Sequence, residues 1–180
     1  MFQKMRVKPS STAMVLYAPA DYPRTEEYHW TELGPADFVH LFVESREQFL
    51  ARFPQAEAAS KEGGLLWVSY PKDRKKTHDI NRDSLWSLLL PAGFHPVSQV
   101  SLDEEWSAVR VKANEAGVVY EPPANVKLVP YVPDGVEAMR IDGRLQPARA
   151  DALPASFEPL SASRSIDIDN AIGRTDRDWL

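Results

Sequence analysis

The chain has 180 residues, of which 43% are hydrophobic and 26% charged, with a formal net charge of −5 and a pI near 5.4. It contains no cysteine, which excludes disulfides, zinc–thiolate sites, iron–sulfur clusters and cysteine nucleophiles. The acidic balance argues against a broad nucleic-acid-binding surface and leaves room only for a local basic patch.

Three apolar runs predict the parallel strands of one sheet. They are Ala13–Ala18, Asp37–Val43 and Leu65–Tyr70. After the second run, Ser45 and Gln48 have the spacing of a capping box, which predicts the start of a helix. Pro54 is expected to break that helix or to open a further turn. The third run follows Gly63-Gly64 and is apolar on both faces, as in a central parallel strand.

A second helix and a hairpin are predicted further along the chain. Asp79-Ile-Asn81 suits a helix cap, and Gly93 suits the stop after that helix. Val97–Leu102 and Trp106–Val111 alternate in polarity around a short acidic turn, so they predict an antiparallel hairpin. Strand–helix–strand alternation favours right-handed crossovers. The fold class is therefore α/β, a small three-layer Rossmann-like sheet over residues 10–115, mostly parallel, with its strands in the order first, second, third, fifth, fourth.

Residues 116–180 differ in character and predict a proline-rich extension. Nearly half of the fifteen prolines lie beyond Gly117, which argues against helix there. Asp142-Gly143 predicts a short hairpin near residues 137–145. From residue 150 onward the sequence lacks periodicity, and we interpret it as an extended tail that is ordered only where it packs on something.

Three motifs in order carry a resemblance to a known family. They are Gly64-Leu-Leu-Trp-Val-Ser-Tyr-Pro-Lys72, Asp79-Ile-Asn-Arg-Asp-Ser84 and Trp106-Ser-Ala-Val-Arg110. Together they resemble an uncharacterised bacterial family defined only as a domain of unknown function, over about residues 13–113. The resemblance implies a fold similar to the second half of a Rossmann-like S-adenosylmethionine-dependent methyltransferase, and it implies no activity.

The cofactor-binding half of such a methyltransferase is missing or collapsed in this sequence. Those enzymes bind their cofactor on a glycine-rich turn after the first strand. Here the first strand runs into Ala18-Pro-Ala-Asp-Tyr-Pro23, where no glycine lets the backbone approach a ligand. We therefore expect no methyltransferase activity and no cofactor.

The carboxyl ends of the predicted parallel strands are the expected ligand position. The candidate ligand-binding residues there are Asp21, Tyr22, Ser45, Tyr70, Lys72, Lys75, Asp79 and Arg82. The basic run Lys72–Lys76 suits a phosphate or carboxylate ahead of a helix start, or it is a solvated loop. Asp79, Arg82 and Asp83 either face the ligand or cap a helix and pair with one another.

Other chemistry-bearing residues favour packing over a site. Trp106 and Arg110 share a strand face and would stack a ligand by cation–π contact, with core packing as the alternative. Trp67 and Trp86 are assigned to the core, and His40 is interpreted as a core or edge histidine. The histidine spacing predicts no metal site. Neither a nucleophile-elbow motif nor a phosphate-binding loop motif is present.

Three functional hypotheses follow. The leading one is a non-catalytic protein that binds a partner or a small anionic ligand. The alternative is an enzyme acting on a nucleotide-like or anionic substrate through Lys72, Asp21 and Tyr70. The third is a structural homodimer with an exchanged tail. With neither a signal-peptide pattern nor an apolar run near the ~20 residues of a membrane span, we expect a cytoplasmic protein without a membrane partner.

Overall fold

The computed structural model describes residues 1–129 and 131 and the backbone of residues 138–141 and 144–147. The strands are β1 Thr12–Leu16, β2 His29–Trp30, β3 Ala36–Phe42, β4 Ser60–Pro71, β5 Phe94–Ser101, β6 Trp106–Ala113, β7 Ala138–Ile141 and β8 Arg144–Pro147. The helices are α1 Arg46–Ala59 and α2 Arg82–Leu89. No helix in this described part is long and apolar enough to cross a membrane.

Six strands form one mixed sheet in the order β2-β1-β3-β4-β6-β5. β1 pairs in parallel with both β2 and β3, and β3 pairs in parallel with β4. β6 runs antiparallel to β4 and β5. The predicted strand order and directions are confirmed, with the two-residue β2 added at one edge. β7 and β8 pair separately as an antiparallel ladder, at the position where the sequence predicts a hairpin.

Both helices pack on the same face of the sheet. Val39, Leu41 and Val68 point to this face and share one apolar cluster with residues of α1 and α2. Right-handed crossovers that advance in one direction across a sheet place their helices on the same side, which explains the arrangement. The predicted three-layer architecture is therefore corrected, because within the described residues the other face has no helix.

The second face is covered by irregular chain. Phe38 and Trp67 point to it and pack with Phe2, Met5 and Tyr28 from the N-terminal segment and the β1–β2 connection. Met5 is fully buried, although the domain was predicted to begin only at residue 10. The connection between β1 and β3 has no helical apolar periodicity, so aromatic side chains cover this face instead of a helix.

Both helices begin at the predicted caps. Ser45 Oγ accepts a hydrogen bond from the Gln48 backbone N–H at 3.1 Å, and the Gln48 side chain accepts one from the Glu44 N–H at 2.8 Å. Asn81 is the N-cap of α2, and its side-chain oxygen accepts from the Ser84 N–H at 2.9 Å. These hydrogen bonds satisfy backbone donors that have no partner inside a helix.

The predicted break at Pro54 is wrong. α1 continues through Pro54 to Ala59. Proline has no N–H to donate to the Leu50 carbonyl, which normally weakens a helix interior. Phe49 and Phe53 lie on the buried face of this helix. Their packing stabilises the helix despite the missing hydrogen bond.

The chain beyond β6 returns along α2. Val126 is buried against Trp86 and Leu90. The Val129 N–H donates to Ser87 Oγ at 2.8 Å. The described start of the proline-rich extension is thus tied to the sheet domain by apolar contacts and backbone hydrogen bonds.

Candidate ligand-binding site

A cleft of about 310 Å³ opens where β3 and β4 end and β6 begins. We call it the carboxyl-edge cleft. Its lining residues are Glu44, Pro71, Lys72, Asp73, Arg74, Lys75, Thr77, His78, Glu104, Glu105 and Trp106. They come from the end of β3, the loop between β4 and α2, and the turn between β5 and β6. This is the edge at which open α/β sheets bind ligands, and it is the edge that the sequence indicates.

Asp73 holds the β4–α2 loop in shape. Its carboxylate accepts hydrogen bonds from the backbone N–H groups of Thr77 and His78, both at 2.7 Å, and from the Thr77 hydroxyl at 3.2 Å. Burial acts to raise the pKa of Asp73, but these hydrogen bonds outweigh it and hold the pKa below its usual value. The loop is therefore organised around an anion that belongs to the chain itself.

Lys72 joins two walls of the cleft. Its ammonium group donates to Ser101 Oγ and to the Asp103 carbonyl. Its backbone N–H donates to the Glu105 carbonyl at 2.7 Å. Because an ammonium has three donors, only one is left for a ligand. Lys72 lines the cleft as the sequence suggests, but its main contacts bind the β4–α2 loop to the β5–β6 turn.

The acidic β5–β6 turn faces the basic loop. Arg74 and Glu104 form an exposed ion pair at 3.1 Å. Within the described residues Lys75 has no hydrogen bond and no ion pair, and it is exposed in the cleft wall. This opposition of charge was not expected from the sequence. The run Asp103–Glu105 was the available signal, but only the antiparallel pairing of β6 with β4 places it beside the basic loop.

Three predicted site residues serve as helix caps and ion-pair partners. Ser45 caps α1, as described above. Asp79 Oδ1 accepts from the Arg46 backbone N–H at 3.0 Å, and Arg46 also lies 3.8 Å from the other carboxylate oxygen. Arg82 contacts Asp83 Oδ1 at 3.2 Å. The Arg82–Asp83 pair fits the alternative in which these residues pair with one another, whereas Asp79 pairs with Arg46 of α1 instead. None of the three residues lines the cleft.

Tyr70, Tyr22 and Asp21 do not line the cleft either. Tyr70 is buried on the helical face, where its hydroxyl accepts from Gln99 Nε2 at 2.8 Å and burial raises its pKa. Tyr22 packs on the second face. Asp21 is exposed in the β1–β2 connection. The structure therefore does not bring Lys72, Asp21 and Tyr70 together as one catalytic site.

A buried polar network crosses the second face. The Tyr22 hydroxyl lies 2.9 Å from His40 Nδ1, and Ser69 Oγ lies 2.6 Å from His40 Nε2. Burial lowers the pKa of His40 to about 3 and raises the pKa of Tyr22. The prediction of a core histidine is confirmed. His40 and Ser69 are fully buried, so this histidine–serine pair is closed to substrate.

Thr77, His78 and Asp73 resemble a nucleophile, a base and an acid inside the cleft. Thr77 Oγ1 lies 3.3 Å from His78 Nδ1, and Asp73 Oδ1 lies 3.6 Å from the same nitrogen. A catalytic relay needs the nucleophile and the acid on different ring nitrogens. The arrangement is therefore a local turn, not a relay.

Trp106 borders the cleft without stacking on Arg110. Its ring packs edge-on against Phe42, with centroids 5.0 Å apart. In the described part of the chain no aromatic ring lies under the Arg110 guanidinium, and the stacking of a ligand by Trp106 and Arg110 stays a prediction. Trp67 and Trp86 are buried, as predicted.

Comparisons with known proteins assign neither a family nor a function to the chain. No protein-family model matches the chain, no curated protein is detectably similar to it, and no solved structure matches its fold. Among the described residues, no three histidine, aspartate or glutamate side chains are placed to share a metal ion.

Proposed function

We propose that the protein binds a small anionic ligand in the carboxyl-edge cleft without transforming it. The observation that carries this proposal is Lys75, a cation without a partner among the described residues, exposed in a concave wall at the carboxyl ends of parallel strands. An unpaired ammonium at such an edge suits a carboxylate or a phosphate.

The acidic side of the cleft restricts the ligand. Glu44, Glu104 and Glu105 line the same space as the cations, and Arg74 is already paired with Glu104. A long polyanion such as RNA would meet these carboxylates, and like charges repel. The ligand is therefore small and carries one or two negative charges.

The fold in this proposal is a reduced Rossmann-like sheet of the uncharacterised bacterial family described above. The parallel order β1-β3-β4 followed by the antiparallel pair β6-β5 supports the Rossmann-like sheet. The β1–β3 connection contains only β2 and irregular chain, which supports the absence of a cofactor-binding half.

A thermal-shift and calorimetric screen tests the proposal. The probes are inorganic phosphate, simple carboxylates, nucleotides and S-adenosylmethionine, each titrated into the full chain. A ligand that binds the folded state stabilises it by about 2.7 kcal/mol at a hundredfold excess over its Kd. We expect saturable stabilisation by at least one small anion, and we expect Lys75→Gln to abolish it.

Lys76→Gln is the matched control, because Lys76 is exposed in the same loop and does not line the cleft. We expect it to bind as the unchanged protein does. Equal losses in both variants would indicate a general charge effect, and no loss in Lys75→Gln would place the ligand elsewhere. Either result, or a screen without any binder, contradicts the proposal.

A further inference from the structure

The second face of the sheet carries an arginine beside a buried tryptophan. Arg110 on β6 lies directly opposite Trp67 on β4 and Ser98 on β5. Directly paired residues on neighbouring strands point to the same side of a sheet, so Arg110 shares the face of Trp67. Lys112, two residues further along β6, is on that face as well.

Two buried N–H donors on this face have no acceptor among the residues that the structure describes. Within that part of the chain, Trp67 Nε1 and Arg110 Nε are both buried and make no hydrogen bond. Trp67 as a whole is only 1% exposed. Native proteins rarely leave such donors unsatisfied, because each forfeits its hydrogen bond to water without a replacement. Two neighbouring donors of this kind indicate a missing acceptor.

The described chain offers no carboxylate to this arginine. None of its ion pairs involves Arg110. The nearest positions on the same face are Trp67, Ser98, Ala108 and Lys112, none of them acidic. A water molecule would accept such N–H bonds but carries no charge to pair with the guanidinium group. An oxyanion would do both, and guanidinium groups bind oxyanions through two parallel hydrogen bonds.

We propose that Arg110 and Trp67 form a second binding site, for the carboxylate or phosphate group of a small ligand. Arg110 is partly exposed, and the ligand enters from the side of the site on which Arg110 lies. Because Trp67 Nε1 is buried, the group that accepts its hydrogen bond must be small, such as a carboxylate or a phosphate. The site is distinct from the carboxyl-edge cleft, because Arg110 is four residues, or about 13 Å, along β6 from Trp106 at the cleft.

The indole N–H resonance of Trp67 reports on this site directly. The full chain is labelled with ¹⁵N and titrated separately with sodium acetate and sodium phosphate at constant ionic strength. The Trp67 indole resonance is identified as the one that is absent from the spectrum of Trp67→Phe. If that variant does not fold, sequential assignment identifies the resonance instead. We expect a saturable downfield shift of the Trp67 indole proton with at least one of the two anions.

Arg110→Gln is expected to weaken that titration at least about tenfold, since hydrogen bonds to charged groups are the stronger ones. Arg110→Lys keeps the charge without the planar fork and should give an intermediate affinity. Lys75→Gln should leave the Trp67 titration unchanged, which separates this site from the cleft. The proposal is overturned if the Trp67 indole resonance shifts with neither anion. It is also overturned if the resonance shifts with the same affinity in Arg110→Gln as in the unchanged protein.

Discussion

His40 couples folding to pH through a single buried side chain. Its pKa in the folded protein is about 3, against a usual value of 6.5. Between these two values the unfolded chain binds a proton at this histidine and the folded chain does not. Acidification therefore favours unfolding, and the stabilisation present above pH 6.5 is lost progressively as the pH falls toward 3.

We predict that His40→Gln weakens the dependence of stability on pH. From pH 7 to pH 5, His40 should account for a loss of about 2 kcal/mol in the free energy of unfolding. Urea denaturation at both pH values measures the difference, which should shrink by that amount in the variant whatever its absolute stability. His78→Gln, at an exposed histidine, is the control. An unchanged pH difference in His40→Gln would contradict the assignment.

At the scale of elements, α1 shows that core packing can stabilise a helix that contains a proline. Pro54 is exposed, so its ring contributes nothing to the core. The residue before it, Phe53, is buried and stacks on Phe49 with centroids 4.7 Å apart. The helix persists because it has buried residues on both sides of the proline, Phe49 and Phe53 before it and Ala56 and Ala59 after it.

We predict that Pro54→Ala stabilises the protein by about 1–2 kcal/mol. Alanine restores the backbone N–H and has a high helix propensity, and both stabilise the folded helix. This stabilisation exceeds the ~0.4–1 kcal/mol by which the more flexible chain stabilises the unfolded state. Chemical denaturation measures the change. Ala51→Gly, at an exposed position in the same helix, should lower stability by about 1 kcal/mol. Loss of stability in Pro54→Ala would mean that α1 requires the proline.

At the scale of the whole molecule, the two faces of the sheet are closed by different means. Helices close one face, and the N-terminal segment with the β1–β2 connection closes the other. Met5 is fully buried in the second face. The N-terminal segment is therefore part of the folded domain.

We predict that Met5→Ala destabilises the protein by about 2–5 kcal/mol, the range for removing a large side chain from a core. Leu33→Ala, at a position that is 82% exposed, should change stability by less than about 0.5 kcal/mol. Urea denaturation of both variants gives the comparison. Similar small effects at the two positions would show that the N-terminal segment only lies loosely on the sheet.

Some expectations stay predictions at this scale. The extended tail from residue 150 and the homodimer with an exchanged tail fall on residues outside those described. The cytoplasmic location and the family resemblance also stay predictions.

The sequence by itself predicted five of the six strands of the large sheet, their order and direction, both helix caps and the edge where the cleft opens. The strands and caps follow from local patterns: apolar runs of strand length, cap residues at helix starts and an acidic turn between alternating strands. Such patterns act over a few residues, so they are visible without coordinates.

Only the tertiary structure decided which side chains meet. It tied Lys72 to the β5–β6 turn, left Lys75 free of described partners, enclosed His40 between Tyr22 and Ser69, and put Arg110 beside Trp67. These contacts depend on strand register and on which face a side chain points to. Register is set by the packing of the whole sheet, because a shift of one residue would turn every side chain of a strand to the opposite face.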